Sequence, residues 1–128
     1  MKLNSTSHIS ITSAIQEALA KCVSAESKNI ITDIHLQPNM VTGELAIYND
    51  DEELLASVLI KEWEGANPED FYAACEMALK KNLNQMSANG AFVSLPIMKP
   101  YSFVMVDGEK KTVGELLIID EDGTKFLS

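Results

Sequence analysis

The sequence predicts an α+β fold: two helices packed on a mostly antiparallel sheet of about five strands, in the order α-β-β-β-α-β-β. Three observations carry this. Apolar residues recur at three- and four-residue steps in two stretches, one between Ser10 and Val23 and one between Asn67 and Met86. Between them, residues 30–60 alternate apolar with polar, the period of half-buried strands. Beyond the second stretch lies β-forming chain punctuated by Pro96, Pro100 and Asp107-Gly108. Runs of strands broken by single helices put the helices on one face of an antiparallel sheet.

The first helix is expected to begin near Ser10 to Ser13, where Ser13 and Gln16 have capping-box spacing. Ile11, Ile15, Ala18, Leu19, Cys22 and Val23 form its apolar stripe, and it frays by Glu26 to Lys28. A three-strand meander follows. Ile30, Thr32, Ile34 and Leu36 alternate with Ile31, Asp33 and His35; Leu45 and Ile47 share one face of Glu44 to Tyr48. The run Asn49-Asp50-Asp51-Glu52-Glu53 is a solvated hairpin loop. In the third strand Leu54, Ala56, Val58 and Ile60 point inward, which leaves Leu55, Leu59 and Trp63 on the opposite side and predicts a central strand, or one with half its width covered by a partner. The second helix is expected to be capped by Asn67, with Pro68 at its first position, and to stop at Asn89-Gly90. Tyr101 to Val106 and Thr112 to Ile119 are the last long strands, and Leu116-Leu117-Ile118-Ile119 reads as covered on both faces. Lys125 to Leu127 is a short extended piece.

A chain of 128 residues, 46% hydrophobic and 23% charged, fits a single domain spanning residues 1–128. All ten basic residues are lysine; they face 19 acidic residues, for a net charge of -9. Arginine is the usual tool for gripping phosphate or carboxylate bidentately, and its absence, with the acidic balance, argues against nucleic acid and an anionic membrane as partners. The N-terminus lacks the apolar stretch of a signal peptide, nothing approaches a membrane span, and Cys22 and Cys75 read as reduced core thiols. The expected location is cytoplasmic.

Chemistry-bearing motifs are sparse. His8 and His35 are far apart and lack a second nitrogen or sulfur ligand at workable spacing, so no metal and no cofactor is expected. Asp120-Glu121-Asp122-Gly123 has its glycine too early for a calcium loop and reads as an acidic turn. Neither a nucleophile elbow nor a glycine-rich phosphate loop is present, and no catalytic residue is assigned. Asp33 and His35, two apart on one strand, project to the same face and form the one neighbouring acid-imidazole pair.

Exposed hydrophobes carry the functional expectation. With helices on one side of the sheet, Ile31, Tyr48, Leu55, Leu59 and Trp63 would form an apolar patch on the other, with Trp and Tyr as anchors. Helices on opposite faces would abolish that patch. The order of elements from Ser10 to Ile119, the size and the acidity resemble the type III secretion chaperones, although this chain ends in strands where that class has a closing helix. The resemblance implies a homodimer that holds a partner's unfolded segment without catalysis. The expected function is therefore a non-enzymatic protein-binding module, chaperone- or adaptor-like. Its partner is a protein or a second copy of itself. An acidic antagonist of a basic toxin and a small enzyme are the alternatives.

Overall fold

Helix α1 runs over Ser5–Ser24, starting five residues before the earliest expected start, Ser10. Asn4 explains the difference: its Oδ1 accepts the Ser7 N–H at 2.8 Å, the bond of an N-cap to the third helical residue. Glu62 reinforces this start from across the chain, accepting the Asn4 N–H at 2.8 Å and the Ser7 hydroxyl at 2.7 Å. The computed structural model describes residues 3–24, 33–64, 69–92, 100–120 and 123–125. Within them α1 is followed by β1 (Asp33–Pro38), β2 (Glu44–Tyr48), β3 (Leu54–Leu59) and a 3-10 turn over Lys61–Trp63. Then come α2 (Phe71–Ala88), β4 (Tyr101–Val106), β5 (Thr112–Asp120) and β6 (Gly123–Lys125). No helix among these residues is long and apolar enough to cross a membrane.

The fold class is the one expected, an α+β arrangement with a mostly antiparallel sheet. Its strand order is β3-β2-β1-β4-β5-β6, and one pairing, β1 with β4, is parallel. The extra strand is β6, a three-residue piece beside β5. Both helices lie on one side. Ile11, Ile15, Ala18, Leu19 and Cys22 of α1 and Phe71, Cys75, Leu79 and Leu83 of α2 join one core with Ile34, Leu36, Leu45, Ile47, Phe103, Met105 and Leu117 of the sheet. Gly114 lets α2 come close to β5: a Cβ built there stands 3.2 Å from the Glu76 carboxylate.

The two helices are keyed by one polar residue. Asn82 is fully buried on α2; its Nδ2 donates to the His8 carbonyl at 2.8 Å and to Thr12 Oγ1 at 3.1 Å. That orientation turns Asn82 Oδ1 to His8 Nδ1 at 2.6 Å, so Nδ1 carries the imidazole proton. The C-terminus of α2 closes as expected at Asn89-Gly90. Gly90 is left-handed at φ +77, and the Ala91 N–H donates to the Met86 carbonyl at 2.9 Å, the Schellman pattern. The expected cap at Asn67 and Pro68 lies outside the described residues.

Two β-bulges overturn the side assignments drawn from alternation. The register between β2 and β3 shifts at Ile47/Tyr48, so Leu55 is the extra residue and joins Ala56 in the core. Leu54 then falls beside Tyr48 on the helix-free face and is 55% exposed. A second shift, between β4 and β5 at Phe103/Val104, makes Leu116 the extra residue and buries it with Leu117. The apolar run Leu116–Ile119 thus reflects a bulge, not a strand covered on both faces. Trp63 is in the core as well, because the 3-10 turn ends the strand and swings its indole edge-on against Phe71, centroids 6.1 Å apart. Finally, β3 is an edge strand and not a central one.

Candidate functional site

With α1 and α2 on one side, no helix of the described residues lies on the other side of the sheet. Alternation and register place Asp33, His35 and Gln37 of β1, Ala46 and Tyr48 of β2, Leu54, Ser57 and Leu59 of β3, and Val104 and Val106 of β4 on it. The middle of this face is closed nonetheless: Ala46, Val104 and Val106 are buried. The open apolar surface lies at the β3 rim, where Leu54 and Leu59 are 55% and 53% exposed.

Of the five residues expected to form a partner-binding patch, Leu59 is therefore exposed there and Tyr48 is half-buried on the same face. Leu55 and Trp63 belong to the core, and Ile31 lies outside the described residues. The Tyr48 ring is also partly occupied, with the Lys110 ammonium 4.5 Å from its centroid.

Lys110 reaches Tyr48 as part of a clasp over the sheet. The β2–β3 loop leaves the sheet at the N-terminal end of β1, beside His35, and the β4–β5 loop leaves it at the opposite end, where Gln37 donates to the Asp107 carbonyl at 2.8 Å. Lys110 Nζ from the second loop meets Glu52 Oε1 from the first at 3.2 Å. Glu52 and Lys110, at φ 62 and φ 66, are the two non-glycine residues with left-handed backbone among the described residues. Their loops are held by Asx-type bonds. Asn49 Oδ1 accepts the Asp51 and Glu53 N–H groups, and Asp107 Oδ1 accepts those of Glu109 and Lys111.

Beneath the clasp is a cleft of about 180 Å³ lined by His35, Tyr48, Asn49, Asp50, Glu52, Val106 and Lys110. The Asp33–His35 pair read from the sequence sits at its side and gains a third member. Asp50 Oδ1 accepts the Asp33 N–H at 3.1 Å and stands 3.7 Å from His35 Nε2. One ligand atom from each of Asp33, His35 and Asp50 falls within 4.8 Å of the others. Burial pushes the Asp33 carboxyl above its ordinary value; Asp50 and Glu115 push the same way, and His35 opposes them. Asp50 was invisible as a member because it belongs to a loop that alternation cannot orient. The turn signal Asn49-Asp50-Asp51 was the available clue, since a hairpin returning there must bring its loop back beside β1.

No family model, curated protein or solved structure matches this chain.

Proposed function

We propose that the protein is a non-enzymatic polypeptide-binding module that takes an extended segment beside β3, a second copy of its own chain being the simplest occupant. One observation carries this reading. The edge strand Leu54–Leu59 holds no charged residue, although edge strands are ordinarily guarded by charge or proline, and its two exposed leucines lie on the helix-free face. An added strand would satisfy the outer backbone groups of β3 and cover Leu54 and Leu59 together. A two-fold axis perpendicular to the sheet would make the helix-free faces of the two copies continuous and bring the exposed leucines of both to one seam. The acidic-antagonist alternative draws less support. Glu52 is engaged by Lys110, Glu53 by the Asn49 amide at 2.9 Å and Asp50 by the Asp33 N–H, so these carboxylates are engaged within the fold.

Sedimentation equilibrium tests the reading, comparing the wild type with a Leu54→Lys/Leu59→Lys variant. The expected result is a salt-insensitive dimer for the wild type and a monomer of unchanged thermal stability for the variant, because both leucines are exposed in the single chain. A wild type that stays monomeric and fails to bind an apolar dye would defeat it.

A further inference from the structure

We propose that Asp33, His35 and Asp50 form a binding site for a divalent transition-metal ion, held between β1 and the β2–β3 loop at the side of the cleft. Nothing in this depends on what pairs with β3.

The ligand set and its spacing argue for it first. One imidazole nitrogen and two carboxylate oxygens converge within 4.8 Å, and His35 Nε2 stands 3.7 Å from Asp50 Oδ1. That separation is too long for a good hydrogen bond. It is close to what one shared ion requires, because ligands about 2.1 Å from zinc in a tetrahedron stand roughly 3.4 Å apart.

Positioning argues for it next. Asp33 and His35 are alternate residues of β1, which is hydrogen-bonded on both sides, to β2 and to β4. Asp50 is tied to that strand by the Asp33 N–H. Two ligands on a rigid central strand and a third tethered to it need little reorganisation.

Charge points the same way. Glu115 lies on this face beside Val104 and acts on Asp33 together with Asp50, so the Asp33 carboxylate sits in a locally negative field. Lys110, the one lysine lining the cleft, is engaged by Glu52 and the Tyr48 ring. A dication would neutralise Asp33 and Asp50 in one step. A nitrogen and two oxygens suit zinc, manganese, iron, cobalt or nickel better than thiolate-seeking copper(I) or oxygen-demanding calcium. Three protein ligands leave a coordination position open toward the cleft, whose volume of about 180 Å³ accommodates water or a small anion there.

Zinc chloride titrated into the full chain by calorimetry tests the assignment, with cobalt(II) absorption and the imidazole nitrogen shifts of His35 as independent readouts. One equivalent is expected to bind and to move the His35 Nε2 resonance. His35→Gln, Asp33→Asn and Asp50→Asn should each weaken zinc by about tenfold or more, at least the loss seen for outer-shell partners. His8→Gln should leave binding unchanged. Wild-type protein that takes up no zinc overturns the assignment. So does zinc that leaves the His35 resonances in place, or that binds all three ligand variants as it binds the wild type.

Discussion

Gly43 and Gly90 offer a controlled comparison, because they share a backbone conformation and differ in what surrounds them. Their φ values are +79 and +77, so alanine pays the same left-handed penalty at both, about 1–2 kcal/mol. Part of that returns through the less flexible unfolded chain, about 0.4–1 kcal/mol, which leaves a net loss near 1 kcal/mol for Gly90→Ala. Gly90 has nothing within 4 Å of the added carbon. At Gly43 the same carbon would stand 2.6 Å from the Ile60 carbonyl oxygen and 3.2 Å from the Glu64 nitrogen. Both are backbone atoms, so no side chain can rotate away. The Ile60 carbonyl accepts the Trp63 N–H at 3.0 Å, and the Ile60 N–H donates to the Gly43 carbonyl at 2.8 Å. Moving it weakens two hydrogen bonds worth about 0.5–1.5 kcal/mol each and disturbs the seat of buried Trp63. Gly43→Ala is therefore expected to cost about 3 kcal/mol, some 2 kcal/mol more than Gly90→Ala. In thermal melts the gap is roughly 8 °C, at about 4 °C per kcal/mol for a chain of this size. Urea unfolding of the two variants, with matched m-values, measures it directly. Variants that agree within about 0.5 kcal/mol would refute the argument that Gly43 is dictated by close backbone approach.

Asn82→Ala removes three hydrogen bonds at the seam of α1 and α2, and a loss of about 2 kcal/mol is expected in urea unfolding once partial rehydration of His8 and Thr12 is allowed for. A loss under about 0.5 kcal/mol would show the network to be dispensable. Burial pushes the Cys75 thiol up from 9.0 to about 12, and burial, then Asp50, raises Cys22, so neither should react with a thiol reagent at pH 8 until the protein unfolds. Fast labelling of the native chain would contradict their placement. Burial likewise pushes Tyr101 up to about 12, with Cys22 adding to it. Acids whose folded pKa is raised stabilise the fold below their unfolded values and lose that contribution as the pH climbs through the folded ones. Stability should therefore fall between about pH 9 and 12, and a melting temperature flat across that window would refute it.

Much of the fold was legible because periodicity and turn chemistry are local. The helix stripes, the Asn89-Gly90 stop and the alternation of β1 needed no tertiary information. Strand sidedness failed where a local pattern has two physical origins. Leu54-Leu55 and Leu116-Leu117 resemble doubly covered strands, yet each pair marks a bulge, and a bulge is set by the partner's register. Trp63 was misplaced because alternation was carried past Ile60 into a turn. The start of α1 was missed because Asn4 and Glu62 cooperate across a long stretch of chain. Two of the three clustered side chains, Asp33 and His35, were visible; Asp50, and the cleft-lining Glu52 and Lys110, come from loops whose direction only the assembled sheet defines.

The parallel join at the middle of the sheet has a kinetic consequence. Ile34 lies against Phe103, with β2, β3 and all of α2 between them along the chain. Helix α1 and the meander can assemble from neighbouring sequence, whereas the β1–β4 seam must wait for a distant hairpin and carries the entropy of that long closure. A ribosome that has released only the first half therefore presents the flank of β1 as a second raw edge, beside Ile34 and Leu36. That interval, before the C-terminal hairpin docks, is when the nascent chain is most exposed to misassembly.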